Sequence, residues 1–295
     1  MHPISMARAG PSPHRSRLTH PTAALGEAVG SLTAAALVCA ASPKKKAVHR
    51  LRTWTRRVEA RLELIAMLRE VPAAARERRE ATGILKKLRR AAGVVRDLDV
   101  EGELVLAESR RGKGRTPAAT AMRKEAREFR VDLREQRDRA AKELVRLLEK
   151  KRKKLPLALR ELSKAFEGTE ETALAETRLV GLVEEWFGQS TVPRRLGAEE
   201  QNEALHAVRK RAKLARYMLE IGGPKSGGAG KRAGRVAARF EALQHAGGEW
   251  HDWMQLSSVA AKRLGKASPL AGRFSARAER ALKAYQRRLT QLARA

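Results

Sequence analysis

Residues 48–57 read VHRLRTWTRR, and residues 205–214 read LHAVRKRAKL. Both segments follow the order apolar–His–x–apolar–Arg, and each carries a further cation four residues after that arginine. Their apolar residues recur at three- and four-residue intervals, which is the spacing of an amphipathic α-helix. A histidine and two cations repeated at the same positions predict a duplicated helical fold with one shared basic surface.

Helical geometry places the cations of each copy on one face. An α-helix advances about 100° per residue, so side chains three and four positions apart are neighbours. The two basic stripes are Lys45, His49, Arg52 and Arg56 in the first copy, and His206, Arg209, Lys213 and Arg216 in the second. Asn202 stands in the place of Lys45, and Glu59 in the place of Arg216. An isolated stripe is usually a solvated face, but its duplication with a histidine favours ligand binding.

A second repeated motif indicates that the whole chain is duplicated. Residues 88–97 (LRRAAGVVRD) and 243–252 (LQHAGGEWHD) share a leucine, a glycine and an aspartate at the same offsets. The histidine motifs lie about 157 residues apart and these motifs about 155, so the register is nearly constant. Two homologous halves of about four helices each, both large enough to pack as bundles, are the simplest explanation. We predict a disordered tail at 1–21, a first bundle at 22–155 and a second at 156–295.

Helical periodicity continues from about residue 22 to the end, without strand-like alternation, so the predicted fold class is all-α. Proline and glycine set the predicted helix ends. The expected helices are at about 22–41, 44–69, 73–92, 94–110, 118–149, 157–166, 172–187, 198–221, 232–247, 249–264 and 270–292. Loops are expected near 112–117, 188–197 and 222–230.

The charge of the chain indicates a polyanionic partner. The formal net charge is +30, from 63 Lys and Arg against 33 Asp and Glu. Nucleic acid, an anionic membrane surface and polyphosphate could each be attracted by such an excess. Hydrophobic residues still make up 42% of the 295 residues, which permits a sizeable core. Cys39 is the only cysteine, so we expect no intramolecular disulfide and a buried thiol in a reducing cytoplasm.

The N-terminal apolar stretch needs a separate interpretation. Residues 22–41 are apolar-rich but contain Glu27, which an uninterrupted export signal would lack. A membrane span would require about 20 strongly apolar residues. The apolar positions that recur at helical spacing are Leu25, Val29, Leu32, Ala36 and Cys39. We predict an amphipathic first helix and no membrane partner.

Other cations are candidates to extend the basic surface, although each set alone is typical of exposed helix faces. They are Lys86, Arg89 and Arg90, then Arg130 and Arg137, then Lys210 beside the second stripe, and finally Arg280, Lys283 and Arg287. For Asp97 and Asp252, which occupy equivalent places after a glycine, we expect capping or pairing with a nearby arginine. The sequence contains no metal-ligand spacing or nucleophile motif, so we predict no metal, no cofactor and no catalysis.

Together the four motifs resemble the CHAD family, the conserved histidine α-helical domain. The copy at residues 205–220 is the more typical, and residues 93–100 and 243–252 resemble the family's second motif. The resemblance extends from about residue 22 to the C-terminus. It implies two four-helix bundles related by a pseudo-twofold axis, with a basic central channel. It also implies binding of inorganic polyphosphate and, as in several members, association with polyphosphate granules.

Carried over to this chain, the resemblance implies a channel lined by His49, Arg52, Arg56, His206, Arg209, Lys213 and Arg216. Glu59 stands where the second half has the cation Arg216, so the first half should bind a ligand less tightly at this position. Family members often adjoin a triphosphate-tunnel domain with an E-x-E-x-K strand. Residues 101–105 read EGELV and lack that lysine.

Three functions stay open at this point. The first is non-enzymatic polyphosphate binding, for which an aromatic content of only 4% is no handicap. The second is non-specific nucleic-acid binding as a nucleoid-associated protein, since weak binding at low salt follows from charge alone. The third, hydrolysis of phosphate polymers, has the least support because no catalytic group is visible.

Overall fold

The structure, a computed structural model, describes residues 18–111, 116–189, 198–222, 230–265 and 267–293. The predicted tail up to residue 17, and most of the three predicted loops, lie outside these ranges. The helices are α1 Pro21–Ala41, α2 Lys45–Ala66, α3 Ala75–Arg111, α4 Pro117–Lys151, α5 Lys154–Lys164, α6 Glu176–Gly188, α7 Ala198–Leu219, α8 Gly230–Leu264 and α9 Pro269–Ala293. A 3₁₀ turn at Glu220–Gly222 follows α7. The all-α prediction is confirmed.

Two two-residue strands are the exception to the helical pattern in the described part of the chain. β1 (Leu18–Thr19) pairs antiparallel with β2 (Leu174–Ala175), with Leu18 opposite Ala175. The Thr19 hydroxyl donates to the Leu174 carbonyl at 3.1 Å. The pair ties the segment before α1 to the segment before α6, although neither sequence alternates long enough to predict a strand.

The helices pack in two sequential sets that meet through equivalent members. α1 to α4 pack in chain order, with α4 returning to α1, and α6 to α9 also pack in order. Between the sets, α2 contacts α7, α3 contacts α8 and α4 contacts α9. Like-with-like contacts of this kind are what a pseudo-twofold axis produces. α5 packs against α3 and α1, although our boundary at residue 155 assigns most of it to the second half; that boundary stays a prediction.

The predicted breaks at Gly93 and near Gly247 are wrong, because α3 and α8 run through them without interruption. A Cβ at Gly93 would stand 2.6 Å from Arg52 Nη1. A Cβ at Gly247 would stand 2.8 Å from the Tyr285 ring. A mid-helix glycine costs about 1 kcal/mol relative to alanine. Packing against other helices outweighs this cost, and both helices continue. The missing Cβ lets a neighbouring side chain approach each glycine closely.

α1 packs into the first set and is also the most membrane-like helix described. Leu25, Ala28, Leu32 and Cys39 face α2, α4 and α5 and are buried. Its outer face still exposes Leu37 and Val38, so the prediction of an amphipathic helix is wrong for that face. Among the described residues, only α1 is long and apolar enough to cross a membrane, and a third of its apolar window is buried.

Cys39 is buried in this packing, as the sequence predicted. Burial raises the pKa of its thiol to about 11 despite the opposing charge of Arg137. A thiol held in that protonated form is a weak nucleophile.

A buried carboxylate also joins the two sets. Glu108 on α3 is 2% exposed and accepts hydrogen bonds from Arg273 and Arg277 on α9 at 2.8 to 3.2 Å. Arg111 adds a third guanidinium at 3.1 Å. Burial alone would raise the pKa of Glu108, but these arginines lower it overall. Removing them would leave a buried uncompensated charge, so the cluster fixes how α3 and α9 sit together.

Candidate anion-binding site

The two predicted basic stripes face each other where α2 contacts α7. The positive charges of Arg52 and Arg56 on α2 act on Lys213 of α7. In return, the charge of Lys213 acts on His49 of α2. The structure therefore brings the central residues of both stripes into a single cluster, which could contact one ligand from two sides.

Arg52 and Arg209 are held by the backbones of α3 and α8. Arg52 Nη1 lies over Gly93 and donates to the Arg89 carbonyl at 3.3 Å. Arg209 Nε donates to the Gly247 carbonyl at 3.1 Å. Burial is the main cause that lowers the pKa of both guanidiniums. Each arginine uses only part of its donor fork in these bonds, so other N–H groups are left for an anion.

Lys213 differs from Arg52 and Arg209 in its counter-charges: Asp97 and Asp252 act on both arginines, whereas the main charges that act on Lys213 are all positive. Within the ranges that the structure covers, no hydrogen bond or ion pair is found for its ammonium. Burial, followed by the charges of Arg52 and Arg209, lowers its pKa to about 7. An amine in such surroundings gains most from a bound anion, because the anion stabilises its protonated form.

The cation equivalent to Lys213 in the first half is already neutralised. Arg56 Nη1 donates to Glu59 at 2.8 Å, and Arg89 Nη1 donates to the same carboxylate at 2.9 Å. All three side chains are less than one fifth exposed. Glu59 thus compensates two arginines where the second half has Arg216.

Arg216 is also paired, but at the edge of the site. It lies 3.4 Å from Glu220 and 3.3 Å from Glu241, and its guanidinium stacks on Tyr217. Arg57 from α2 shares Glu220 at 2.9 Å. Through Glu220 these contacts tie the middle of α2 to the C-terminal end of α7, so Arg216 has a structural role as well as its predicted binding role.

The two histidines have different surroundings. His49 is largely exposed and lies 3.5 Å from the Thr53 hydroxyl. Partial desolvation of its ring, followed by the charge of Lys213, lowers its pKa. His206 packs against the rings of Trp250 and His251 at 4.6 and 5.0 Å. Burial and the charge of His251 lower the pKa of His206 to about 4. At neutral pH His206 is therefore an uncharged ring that offers an N–H group.

Arg96 of α3 joins the two halves by binding Asp97 of α3 and Asp252 of α8. Its guanidinium binds Asp252 at 2.7 and 3.0 Å and Asp97 at 3.1 Å. Burial alone would lower the pKa of Arg96, but both carboxylates raise it overall. Burial would raise the pKa of Asp252, but the neighbouring His251 and Arg96 lower it to about 2. The expected pairing with a nearby arginine is confirmed for Asp97, whereas Asp252 pairs with an arginine from the other half.

Several other predicted site residues are paired elsewhere or exposed, although the charges of Lys45 and Lys210 still act on His49 and His206. Lys45 is exposed and pairs with Glu103. Arg137 binds Asp99 at 3.0 Å and the Pro43 carbonyl at 2.6 Å, and with Arg130 it lines a cavity of about 320 Å³ between α3 and α4. The remaining predicted residues are exposed on their helices: Lys86, Arg90, Lys210, Arg280, Lys283 and Arg287.

Two further charged residues belong to this site and are not among the predicted binding residues. Arg96 belongs to the repeated Gly–Asp motif, and its position one residue before Asp97 was the available signal. Glu101 is 5% exposed, and burial followed by the charges of Asp97 and Asp252 raises its pKa to about 7. Its sequence context is an ordinary polar position of a helix, so only the fold reveals that it is buried.

Comparison with known proteins now identifies the family. Residues 23–264 match the family model of the CHAD domain. Since this match covers most of the chain, the protein belongs to the CHAD family, as its motifs predicted.

Solved structures support the same fold. The chain is similar to PptA from Streptomyces chartreusis, with a TM-score of 0.65 and 14% identity over 92% of this chain and 99% of that one. It is also similar to the CHAD domain from the plant Ricinus communis, with a TM-score of 0.56 and 16% identity over 97% and 92% of the two chains. At these identities the likeness concerns the fold alone. No curated protein matches the sequence.

Proposed function

We propose that the protein binds inorganic polyphosphate between α2 and α7 and does not react with it. The observation that carries this proposal is the convergence of Arg52, Arg209 and Lys213, from both halves, with Lys213 lacking a counter-charge. Some members of the CHAD family bind polyphosphate. A ligand at this place would contact both halves at once.

The chemistry of the cluster suits a chain of phosphates. A guanidinium can bind two phosphate oxygens at once, while an ammonium acts as a mobile point charge. His206 can add a neutral N–H donor. Consecutive phosphates carry repeated negative charge, so one polymer can occupy cations that would otherwise repel each other. Each neutralised phosphate also releases counterions, so we expect affinity to fall steeply with salt.

The aromatic residues favour this ligand over nucleic acid. Trp250 and Trp253 are 2% and 5% exposed, so neither offers a face for base stacking. Trp54 and Trp186 are covered by the guanidiniums of Arg57 and Arg211, at 4.6 and 4.1 Å from the ring centres. Nucleic acid could then bind mainly through its phosphates, without the contacts to bases that give specificity.

A competition titration tests the proposal. Polyphosphate, DNA and RNA, at equal phosphate concentration, compete for the wild-type protein and for a variant with His206→Ala, Arg209→Ala and Lys213→Ala. Since hydrogen bonds to charged groups contribute about 1.5–3 kcal/mol each, we expect at least about 100-fold weaker polyphosphate binding by the variant. A matched control removes three exposed cations of α4, with Arg139→Ala, Lys142→Ala and Lys150→Ala.

The polyphosphate affinity of the control variant should fall only a few-fold, because its overall positive charge is lower. Equal affinity for RNA and polyphosphate at physiological salt would reject the proposal in favour of non-specific nucleic-acid binding. Release of orthophosphate from polyphosphate in the presence of magnesium would contradict the non-enzymatic part. The proposal also places the protein in the cytoplasm at polyphosphate granules, where a fluorescent fusion should concentrate when granules form.

A further inference from the structure

The cavity of about 320 Å³ between α3 and α4 is separate from the cluster between α2 and α7, since the residues that line it do not belong to that cluster. Its volume lies within the range of about 300–1,000 Å³ that is common for small-molecule sites. Leu98, Leu106 and the bare backbone of Gly102 line it from α3, and Val131 lines it from α4. Val131 is 56% exposed, so the cavity presents apolar surface that the core does not cover.

Gly102 leaves room in the wall of this cavity. It lies within α3, and a Cβ added to it would meet no described atom within 4 Å. Gly93 on the same helix differs, because Arg52 approaches it closely. The space next to Gly102 is therefore open, and a larger side chain there would fill the cavity without a clash.

Three arginines of α4 line the same cavity: Arg127, Arg130 and Arg134. They are three and four positions apart, so they share one face of the helix. All three are exposed, and no hydrogen bond or ion pair is found for them within the described ranges. Their charges are therefore available to an anion that binds beside the apolar wall.

The acidic groups of the cavity are paired with other cations. Arg137 Nε donates to Asp99 Oδ1 at 3.0 Å, and Lys45 pairs with Glu103. An adjoining cavity of about 430 Å³ shares Asp99 and Arg137 and also contains Asp138, which lies 3.7 Å from Arg137. These carboxylates would repel a densely charged polyanion more than a single negative charge, so the cavity favours a monoanion.

We propose that this cavity binds a small carboxylic acid with an apolar body, independently of the site between α2 and α7. The carboxylate lies at Arg130 and Arg134, because a guanidinium can bind both of its oxygens at once. The hydrocarbon lies along Leu98 and Leu106 and over Gly102, where its surface is removed from water. A phosphate polymer has no group that would use this apolar wall.

Calorimetric titration of the full chain with octanoate tests the inference. We expect one saturable site, and at least about tenfold weaker binding of octanol, which lacks the charge, and of acetate, which lacks the apolar body. Gly102→Leu should fill the cavity and weaken octanoate binding at least about tenfold. Leucine favours a helix more than glycine does, so this variant should keep its fold. The matched control is Gly181→Leu on α6, since Gly181 is also exposed and has open space at its Cβ.

A second pair of variants tests the arginines. The variant with Arg130→Ala and Arg134→Ala should bind octanoate at least about tenfold more weakly, because it loses two charged contacts. Its binding of octanol should not change, since octanol carries no charge. The control variant, with Arg139→Ala and Lys142→Ala, removes two exposed cations of α4 that do not line the cavity and should keep its octanoate affinity.

The outcomes separate this inference from the proposed function. Octanoate affinity that is unchanged by Gly102→Leu would overturn the inference, because the acid would then bind another apolar surface, such as the exposed face of α1. Loss of octanoate binding in the variant with His206→Ala, Arg209→Ala and Lys213→Ala would contradict the independence of the two sites. Octanoate binding at the cavity by a protein that fails to bind polyphosphate would keep the inference and reject only the proposed function.

Discussion

The central helices α2 and α7 carry the same motif, yet the cation four residues after the repeated arginine has different partners in each. In α2, Arg56 is neutralised by Glu59, which also binds Arg89. In α7, the equivalent Lys213 has only positive charges among the main groups that shift its pKa. Net attraction for an anion is therefore concentrated on the second half, although the motif in the sequence is nearly symmetrical.

The difference shows that counting cations along a helix does not measure how strongly it binds an anion. A buried cation costs folding free energy unless a negative group pairs with it. That negative group can be a carboxylate of the protein or a bound anion. In the first half, Glu59 pairs internally with Arg56 and Arg89. In the second half the carboxylates pair with Arg216 at the edge of the site, and no ion pair of Lys213 is found among the described residues.

The largest expected effect distinguishes the two stripes directly. The variant with Arg209→Ala and Lys213→Ala should bind polyphosphate at least about 100-fold more weakly, because it loses two charged contacts. The variant with Arg52→Ala and Arg56→Ala should lose clearly less polyphosphate affinity, because Glu59 already neutralises Arg56. Titration at one fixed salt concentration measures both. Equal losses would show that Glu59 does not weaken the first stripe.

The two glycines provide the next comparison. Gly247→Ala would push a methyl group against the buried Tyr285 ring and Arg209, at 2.8 and 3.2 Å. Overpacking of this kind costs about 1–3 kcal/mol of unfolding free energy. Gly93→Ala meets only the flexible end of Arg52, so stability should change little while polyphosphate affinity falls. Chemical denaturation and ligand titration of both variants measure this, and similar unfolding free energies would contradict it.

The pH dependence of polyphosphate affinity should reflect the protonation of Lys213. Because its pKa is about 7, the group is mostly neutral at pH 8 and mostly charged at pH 6. An anion binds the charged form better, so polyphosphate affinity should rise as pH falls, by up to about tenfold over this range. His206, with a pKa of about 4, stays neutral throughout.

Lys213→Arg is the control for this prediction, because arginine keeps its charge and the ligand is unchanged. Its binding should vary less with pH, because Glu101, whose pKa is also about 7, and the polyphosphate ends still titrate in this range but residue 213 does not. A wild-type profile that is parallel to that of the arginine variant would exclude Lys213 as the titrating group.

The smallest expected effect concerns the acid of the first stripe. Glu59→Gln should free Arg56 and Arg89 and tighten polyphosphate binding about fivefold, the equivalent of about 1 kcal/mol. Glu203→Gln on α7 removes the same charge from an exposed position and serves as the control. If both substitutions have the same effect, only the net charge matters at Glu59.

The sequence predicted the helices, the duplication and the stripes because these depend on local periodicity. It placed breaks at Gly93 and Gly248, because glycine often ends a helix. The side chains that approach Gly93 and Gly247 belong to other helices, so no local pattern announces them. The pairing of Glu59 with Arg89 and of Arg96 with Asp252 depends on residues 30 and 156 positions apart. A single sequence does not encode such distances in any local pattern, so the asymmetry of charge compensation emerges only from the fold.

Calorimetric titration with a short polyphosphate of defined length tests most directly whether the two stripes share one ligand. The shared site predicts one chain bound per protein, and weaker binding in both the Arg52/Arg56 and the Arg209/Lys213 double variants. Two chains bound per protein, with each double variant losing one and keeping the other at unchanged affinity, would contradict a single site between α2 and α7.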